Sequence, residues 1–445
     1  MMATARSPDD GRPLALDLLP DTAEVTPSGE LRVGGVDLLE VARIVGTPCY
    51  VYDEATLWAR CRATVQAWPG GAAYSSKAFS CVAMDRLAAG AGLRVDVASL
   101  GELQVALAAE VAPELIVCHG NNKSDAELQL ALARGVGRIV VDSFDEIDRL
   151  ERLVAAGPYS APGVWLRVTP GVDPHTHRAV ATGQLDSKFG LPVDGGLADA
   201  ALDRLARSRR LRLVGLHTHI GSQVVELEPF RVAAQRVARV AVARRLAELC
   251  LGGGLGVASV TGELVPTLSD WAEAGERGCR EAGLPHDIHP SAEFGRAVVA
   301  RAGLTLYTVG TIKRLPHGRT FVSVDGGMGD NPRPALYGSR YEAFLPRDPL
   351  APRGLPADVV GHHCESGDVL VRDGWLPRDT KVGDCLAVPV TGAYAHAMAS
   401  TYNRVPRPPV VFLAEGRVRQ VVRRETVEDI LRLESDLQLA RGARG

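Results

Sequence analysis

Eight short apolar runs constrain this chain's fold more than any other feature. They fall at 72–75, 93–98, 115–118, 138–141, 164–168, 213–217, 249–251 and 287–292. Between them lie segments at 81–91, 101–109, 124–134, 144–155, 196–207, 229–248 and 267–282, with apolar residues recurring at i, i+3 and i+4. That recurrence lays an apolar stripe along one face of a helix. Strands alternating with helices pair in parallel, because each helix carries the chain back to the sheet's starting edge. Eight is the number at which such a sheet closes into a (β/α)8 barrel. An open doubly wound sheet is the alternative. A Gly-rich turn after the first strand would favour it, and none follows 72–75.

Beyond residue 300 the helical recurrence fades. Short β-rich runs at 305–312, 320–324, 357–360, 369–371, 385–390 and 410–413 are punctuated by Pro and Gly, which predicts an all-β C-terminal domain. A last helix is expected at 425–433. At the other end, 1–30 is rich in Pro, Asp and Gly and reads as partly irregular. A strand–turn pattern with Gly34-Gly35 at the turn follows, then a short helix from Leu38. Residues 47–52 read as a strand leading inward. The expected organisation is an N-terminal segment at 1–50 packing partly with the β domain, the barrel at 51–300 and the β domain at 301–445. The chain has no low-complexity linker, so the domains should pack closely.

A formal net charge of −3 gives no reason to expect a nucleic-acid or membrane-surface partner. The eight cysteines are irregularly spaced and form no CxxC pair. That pattern suits reduced thiols in a cytoplasmic protein and offers no zinc motif or other metal site. The first ten residues lack the apolar core of a signal peptide, and no apolar run is long enough to span a membrane.

Barrel sites lie at the C-terminal ends of the strands. Here every run ends in polar or glycine-rich residues: Lys77, Asp96 with Ser99, His119 to Lys123, Asp142-Ser143, Thr169-Pro170, His217 to Gln223, Gly252 to Gly256, and Glu293-Phe294-Gly295-Arg296. Lys77 is flanked by small residues with no acid within five positions. It could point into the fold, where burial disfavours the charged amine and prepares it to condense with a carbonyl. A lysine at a strand end that reaches to solvent is the competing reading. Arg far outnumbers Lys in this chain, which draws attention to Lys77, Lys123 and Lys188.

Three consecutive glycines at Gly252–Gly254 let the backbone come close and can present successive N–H donors to an anion; a tight turn would also account for them. Together with Gly221-Ser222 and Gly295-Arg296 they suggest a phosphate held after the last strands. An imine-forming lysine plus a phosphate nest implies pyridoxal phosphate. Glu293 is then the natural partner of the pyridine nitrogen, and His219 the group on the ring face, unless it is a hydrogen-bonded core histidine. In the β domain, Cys364 beside Glu365 could donate a proton, or could sit in a solvated turn. Arg333 suits a carboxylate fork, and Tyr394 offers a phenol; a surface arginine and a packed tyrosine are the bland alternatives.

In this order and spacing, the stretches Tyr74 to Phe79, Asp96 to Leu103 (DVASLGEL), HGNNKS at His119, SKFG at Ser187, HTHIGSQ at His217, Gly252 to Gly256, Asp325 to Asp330, Arg333 to Tyr337, Cys364 to Asp368 and Gly392 to Tyr394 resemble the diaminopimelate decarboxylases. These belong to the fold-type III pyridoxal-phosphate decarboxylases, which share an alanine racemase-like barrel plus β domain. The resemblance runs over nearly the whole chain. It implies decarboxylation of meso-2,6-diaminopimelate to L-lysine and CO2, the last step of lysine biosynthesis. It implies Lys77 as covalent anchor and His219 on the ring. Ser222, Gly253, Gly254, Gly295 and Tyr394 would hold the phosphate, with Arg296 at the cofactor and Glu293 at the pyridine nitrogen. Arg296, Arg333, Tyr337 and Tyr394 would meet the substrate. Cys364 as proton donor and Glu365 as ammonium partner would come from the second subunit of a homodimer.

Three departures from the family pattern stand out. Phe294 replaces the usual proline of Glu-Pro-Gly-Arg. The connection from Pro229 to Gly252 is shorter than usual, which could displace the seventh strand. Pro332 and Pro334 flank Arg333. They leave room for a different substrate, another carboxylated amino acid or amine. A cofactor-binding protein without turnover, or a racemase-like barrel, is a further alternative that the Cys364-Glu365 pair argues against.

Overall fold

The computed structural model describes residues 12–173, 183 and 187–435. Of the expected irregular start at 1–30, residues 1–11 lie outside the described residues, and the rest holds a 3-10 turn at Leu16–Leu18 and a two-residue strand at Glu24–Val25. Eight parallel strands run Ala72–Ser75, Arg94–Val97, Ile116–Cys118, Arg138–Val141, Gly163–Thr169, Arg212–His217, Glu248–Cys250 and Ala292–Phe294, each beside the next in chain order. The last pairs back onto the first, Glu293 opposite Ala73. The seventh and eighth meet through Leu251 N donating to Ser291 O at 2.9 Å and Ser291 N to Leu249 O at 2.8 Å. The sheet is thus a closed barrel, and the open doubly wound alternative falls.

Alternation along these strands assigns every side chain. Ile116, Ile139, Val164, Leu166, Leu216 and Leu249 face the helices and join the main core. Val117, Val140, Trp165 and Cys250, one position on, form a separate small cluster inside the barrel. Trp165 Nε1 donates to Glu248 Oε2 at 2.6 Å, and Arg138 Nε to the same oxygen at 2.7 Å. Two positions beyond Trp165 the inward residue is Arg167, and on the neighbouring strand it is His217, level with it in register. The same parity turns Asp96 and Glu293 inward, and all four line one cavity.

Two expected elements shift. The eighth strand begins at Ala292, after Pro290, which has no N–H for a ladder. Glu293 is therefore inside the strand and not after it. The long helix is Leu227–Ala243 and stops short of 248, where Glu248 enters the sheet. That seventh strand pairs regularly, Gly215 with Glu248 through His217 with Cys250, so the shorter connection does not displace it.

A second, mixed sheet runs in the order Val369–Leu376, Leu355–Val360, Thr320–Val324, Gly303–Arg314, Cys49–Asp53, Val410–Ala414, Arg417–Val422, with Cys385–Pro389 also on Gly303–Arg314. The strand read as leading inward at 47–52 is instead a central member of this sheet. It is antiparallel to Gly303–Arg314 and parallel to Val410–Ala414. The final helix is Val427–Leu431, capped by Thr426. Among the described residues no helix is long and apolar enough to cross a membrane.

The second sheet reaches the barrel mouth beside Lys77. Tyr52 stacks on Phe79 with centroids 4.4 Å apart, and Tyr394 N donates to Ala78 O at 2.7 Å. Tyr394 itself has φ +61°, a left-handed conformation unusual for an aromatic residue.

Candidate active site

One cavity of about 320 Å³ opens at the C-terminal ends of the barrel strands. Its lining includes Lys77, His219, Ser222, Gly253, Gly254, Glu293, Gly295, Arg296, Arg333, Tyr337 and Tyr394. Residues far apart in the chain meet there because strand ends converge. Lys77 sits on a single 3-10 turn, Ser76–Ala78, directly after the first strand. Its side chain is exposed and lines the cavity, so it points into the barrel mouth without being buried there. Ser76 Oγ bonds Asp96 O at 2.7 Å and Tyr74 OH bonds Phe79 O at 2.6 Å, so both flanks of the lysine are tied down. Lys123 instead is buried, donating to Gly120 O, Val140 O and Glu146 Oε1 at 2.6–2.8 Å. Lys188 lies over the Phe189 ring at 4.9 Å.

Opposite, the Glu293 carboxylate is buried between two imidazoles and a thiol. His217 Nε2 is 3.0 Å from Oε2; His119 Nε2 is 3.1 Å and Cys250 Sγ 3.3 Å from Oε1. Burial alone would raise its pKa, but the imidazoles of His119 and His217 outweigh that and hold it well below the usual carboxylate range. Asp96 goes the other way: burial, then the neighbouring Glu293 charge, push it well up. The two acids therefore have opposite protonation tendencies. His119, His217 and Glu293 fall within 4.8 Å of one another, a set able to hold a metal ion. His217 Nε2 and Cys250 Sγ each bond a different oxygen of the acid, whereas His119 Nε2 stands 3.1 Å from Oε1 without a hydrogen bond.

His219 accepts from Gly253 N at its Nδ1, 3.2 Å away, which fixes the ring. Burial, then the charges of Lys77 and Arg167, lower its pKa well below 6.5. It is thus a neutral imidazole. The glycine run is required by packing. A Cβ at Gly253 would lie 1.8 Å from Glu293 O, and one at Gly254 would lie 2.2 Å from Gly221 O. Gly252 and Gly254 also have φ of +65° and +122°. Only glycines let the ends of the sixth, seventh and eighth strands come this close.

At the rim, Arg296 Nη2 donates to Ser222 Oγ at 3.1 Å, and its guanidinium lies 4.8 Å over the Tyr394 ring. Arg333 is within 5.6 Å of the same ring and donates to Tyr341 OH at 3.1 Å and Ser339 Oγ at 3.1 Å. Burial and the nearby Arg333 lower Arg296 to about 10. Among the described residues its Nε has no hydrogen-bond partner and no carboxylate pairs with either arginine. Two close guanidiniums without an acid call for an anion. An amine, an ionised carboxylate across the cavity, a glycine-lined wall and a cationic rim fit pyridoxal phosphate.

Cys364 and Glu365 do not join this cavity within the chain. They are exposed, on a turn tied by Cys364 N to Asn403 Oδ1 at 3.1 Å. The Asp368 carboxylate braces that turn, accepting from His363 N at 2.8 Å and Met328 N at 2.6 Å. Phe294, the departure that opened the question of substrate, packs its ring against Trp68 with centroids 5.9 Å apart. By strand alternation it faces the helices while Glu293 faces the cavity.

Arg167 went unnoticed in the sequence. It is buried, 3.8 Å from Asp142 and 4.5 Å beneath the Phe189 ring, and lines the cavity. A lone cation inside the apolar run at 164–168 was the available signal. Asp96, His119 and His217 are legible in the sequence as strand ends, and nothing local names their role.

Residues 54–300 match the family described as pyridoxal-dependent decarboxylase, pyridoxal binding domain. A diaminopimelate decarboxylase of Actinosynnema pretiosum subsp. auranticum is 50% identical over 415 residues, covering 91% of this chain and 93% of that one. The diaminopimelate decarboxylase of Bacillus subtilis is 42% identical over 427 residues, covering 93% and 97%. The crystal structure of the M. jannaschii diaminopimelate decarboxylase in complex with L-lysine superposes with a TM-score of 0.86 at 31% identity, covering 92% and 97%. The chain belongs to the diaminopimelate decarboxylase family of pyridoxal-dependent decarboxylases.

Proposed function

We propose that this protein decarboxylates meso-2,6-diaminopimelate to L-lysine and CO2 with pyridoxal phosphate as cofactor, in the cytoplasm, as the last step of lysine biosynthesis. The observation that carries the reading is the shared cavity of Lys77, an ionised Glu293 and two arginines that pair with no acid among the described residues. Lys77 Nζ would be the amine that holds the cofactor covalently. Ser222, Gly253, Gly254, Gly295, Arg296 and Tyr394 hold the phosphate, and the neutral His219 covers the ring face. Glu293 keeps a proton on the pyridine nitrogen. Pyridoxal phosphate bound there supplies a sink for the electron pair left when the Cα–carboxylate bond breaks.

Substrate carboxylate meets Arg296, Arg333 and Tyr337, whose guanidinium–ring stack at 5.4 Å stiffens the fork. The site is completed across a homodimer. Cys364 of the partner subunit returns a proton from Sγ to Cα, and Glu365 of the partner subunit holds the ammonium at the D-configured end. Support comes from the exposure of both residues on a braced turn outside this chain's own cavity. The chain divides accordingly into an N-terminal segment, a cofactor-binding barrel and a β domain that donates the turn.

The test measures CO2 release by the cofactor-loaded protein from meso-diaminopimelate, L-lysine and L-ornithine. Preference for the meso compound with L-lysine as product is expected. Preference for either of the others would overturn the assignment.

A further inference from the structure

Glu293 is the most elaborately held carboxylate in the cavity, and the residues that hold it have no other assigned task. His217 ends the sixth strand, Cys250 ends the seventh and His119 follows the third. We propose that His217 and Cys250 are positioning residues that donate hydrogen bonds to opposite oxygens of Glu293, fixing it as an anion aimed at the cofactor's ring nitrogen.

The direction of each bond follows from the surroundings. His217 is 1% exposed, its Nδ1 has no hydrogen-bond partner among the described residues, and its Nε2 lies 3.0 Å from Glu293 Oε2. An ionised carboxylate only accepts. Burial lowers the imidazole to about 4 against the opposing pull of Glu293, so it is neutral and carries one proton. That proton sits on Nε2. Cys250 is equally buried. Burial, then the Glu293 charge, raise its thiol well above 9, so Sγ keeps its proton and donates across 3.3 Å to Oε1. A neutral imidazole and a thiol stabilise the anion without cancelling its charge. His119 adds a third contact to Oε1 at 3.1 Å and meets the His217 ring edge-on at 4.8 Å.

Other charged groups face the same space. Asp96 comes from the second strand, Arg167 from the fifth and Lys77 from the turn after the first. Asp96, which accepts from Ser75 Oγ at 3.0 Å, is pushed toward its neutral form by burial and then by the Glu293 charge, so the negative charge of the pair rests on the acid that His217 and Cys250 hold. Two neighbouring strands each commit their last inward position to Glu293. The chemistry served is retention of a proton on the pyridine nitrogen, which sets how strongly the ring accepts electrons.

This inference rests on the functional reading above and deepens it. The experiment loads the intact protein with pyridoxal phosphate carrying 15N at the ring nitrogen. Nitrogen resonance is followed from about pH 6 to 9 in the wild type, His217→Leu, His217→Gln and Cys250→Ala. Wild type and His217→Gln, which keeps an N–H at that reach, should stay protonated throughout. His217→Leu should lose the ring proton within the range, with kcat lower by at least about tenfold and KM within about twofold. Cys250→Ala should show a smaller shift in the same direction, and decides the matter if His217→Leu does not fold. A nitrogen signal in both variants indistinguishable from wild type would overturn the proposal. Protein that takes up the cofactor with a protonated nitrogen but decarboxylates nothing would overturn the functional reading while leaving the positioning role standing.

Discussion

Asp85 should make this protein lose stability as pH rises, and Asp85→Asn should abolish that loss. Asp85 is fully buried on the helix Val82–Gly90, which leads away from the Lys77 turn, and neither carboxylate oxygen has a hydrogen-bond partner. Burial, then the Glu102 charge, raise it to about 8. In an unfolded chain an aspartate titrates near 3.9. Between these values the folded protein keeps the proton and the unfolded chain has released it. Unfolded protein then binds fewer protons, so stability falls with rising pH. The contribution is whole below about pH 4 and lost as pH passes about 8. Each pH unit costs about 1.4 kcal/mol per proton, so the interval from pH 5 to 8 costs roughly 4 kcal/mol. Asparagine keeps the shape and removes the proton.

The assay compares apparent unfolding midpoints of wild type and Asp85→Asn across pH 5 to 8.5. Other titrating groups, Asp330 among them, are common to both proteins and cancel in the difference. The two curves should separate steadily as pH rises, with the variant more stable. A constant difference across the range would refute the reasoning. Consequences should reach the site, because Tyr74, raised by burial and then by Asp85, bonds Phe79 O and helps fix the Lys77 turn.

Other outcomes follow from the same geometry. Lys77→Ala should lose covalently held cofactor and at least about a thousandfold in kcat, read by absorbance and CO2 release. Lys77→Ala and Cys364→Ala proteins, each inactive, should recover about a quarter of wild-type activity when unfolded and refolded together, because half the random dimers carry one intact site of two; recovery of none would contradict a site shared between subunits. Gly253→Ala should fail to take up pyridoxal phosphate, since its Cβ would lie 1.8 Å from Glu293 O. Phe294→Leu should leave the order of substrate preference unchanged while costing about 1–2 kcal/mol of stability from the contact with Trp68.

The barrel was legible because its signal is periodic. Apolar recurrence marked seven of eight strands closely, and strand ends marked the site. The eighth strand slipped because an apolar and β-branched pattern cannot register that Pro290 blocks pairing. The strand at 47–52 was visible, but its partners Gly303–Arg314 and Val410–Ala414 lie hundreds of residues away, and nothing local names them. Arg167 and the donors around Glu293 were missed for a related reason. Each looks like an isolated polar residue until register places His217 beside Arg167 and Cys250. The two readings of Lys77 stay open in the sequence because small neighbours say that space exists without saying what fills it. Here the space is the cavity.

The chain has five lysines: Lys77, Lys123, Lys188, Lys313 and Lys381. Borohydride reduction of the cofactor-loaded protein, followed by peptide mass analysis, reports directly which of them holds pyridoxal phosphate. The cavity predicts one phosphopyridoxyl group per chain, on Lys77. A label on any of the other four, or none after full loading, would contradict the assignment of this cavity as the catalytic site.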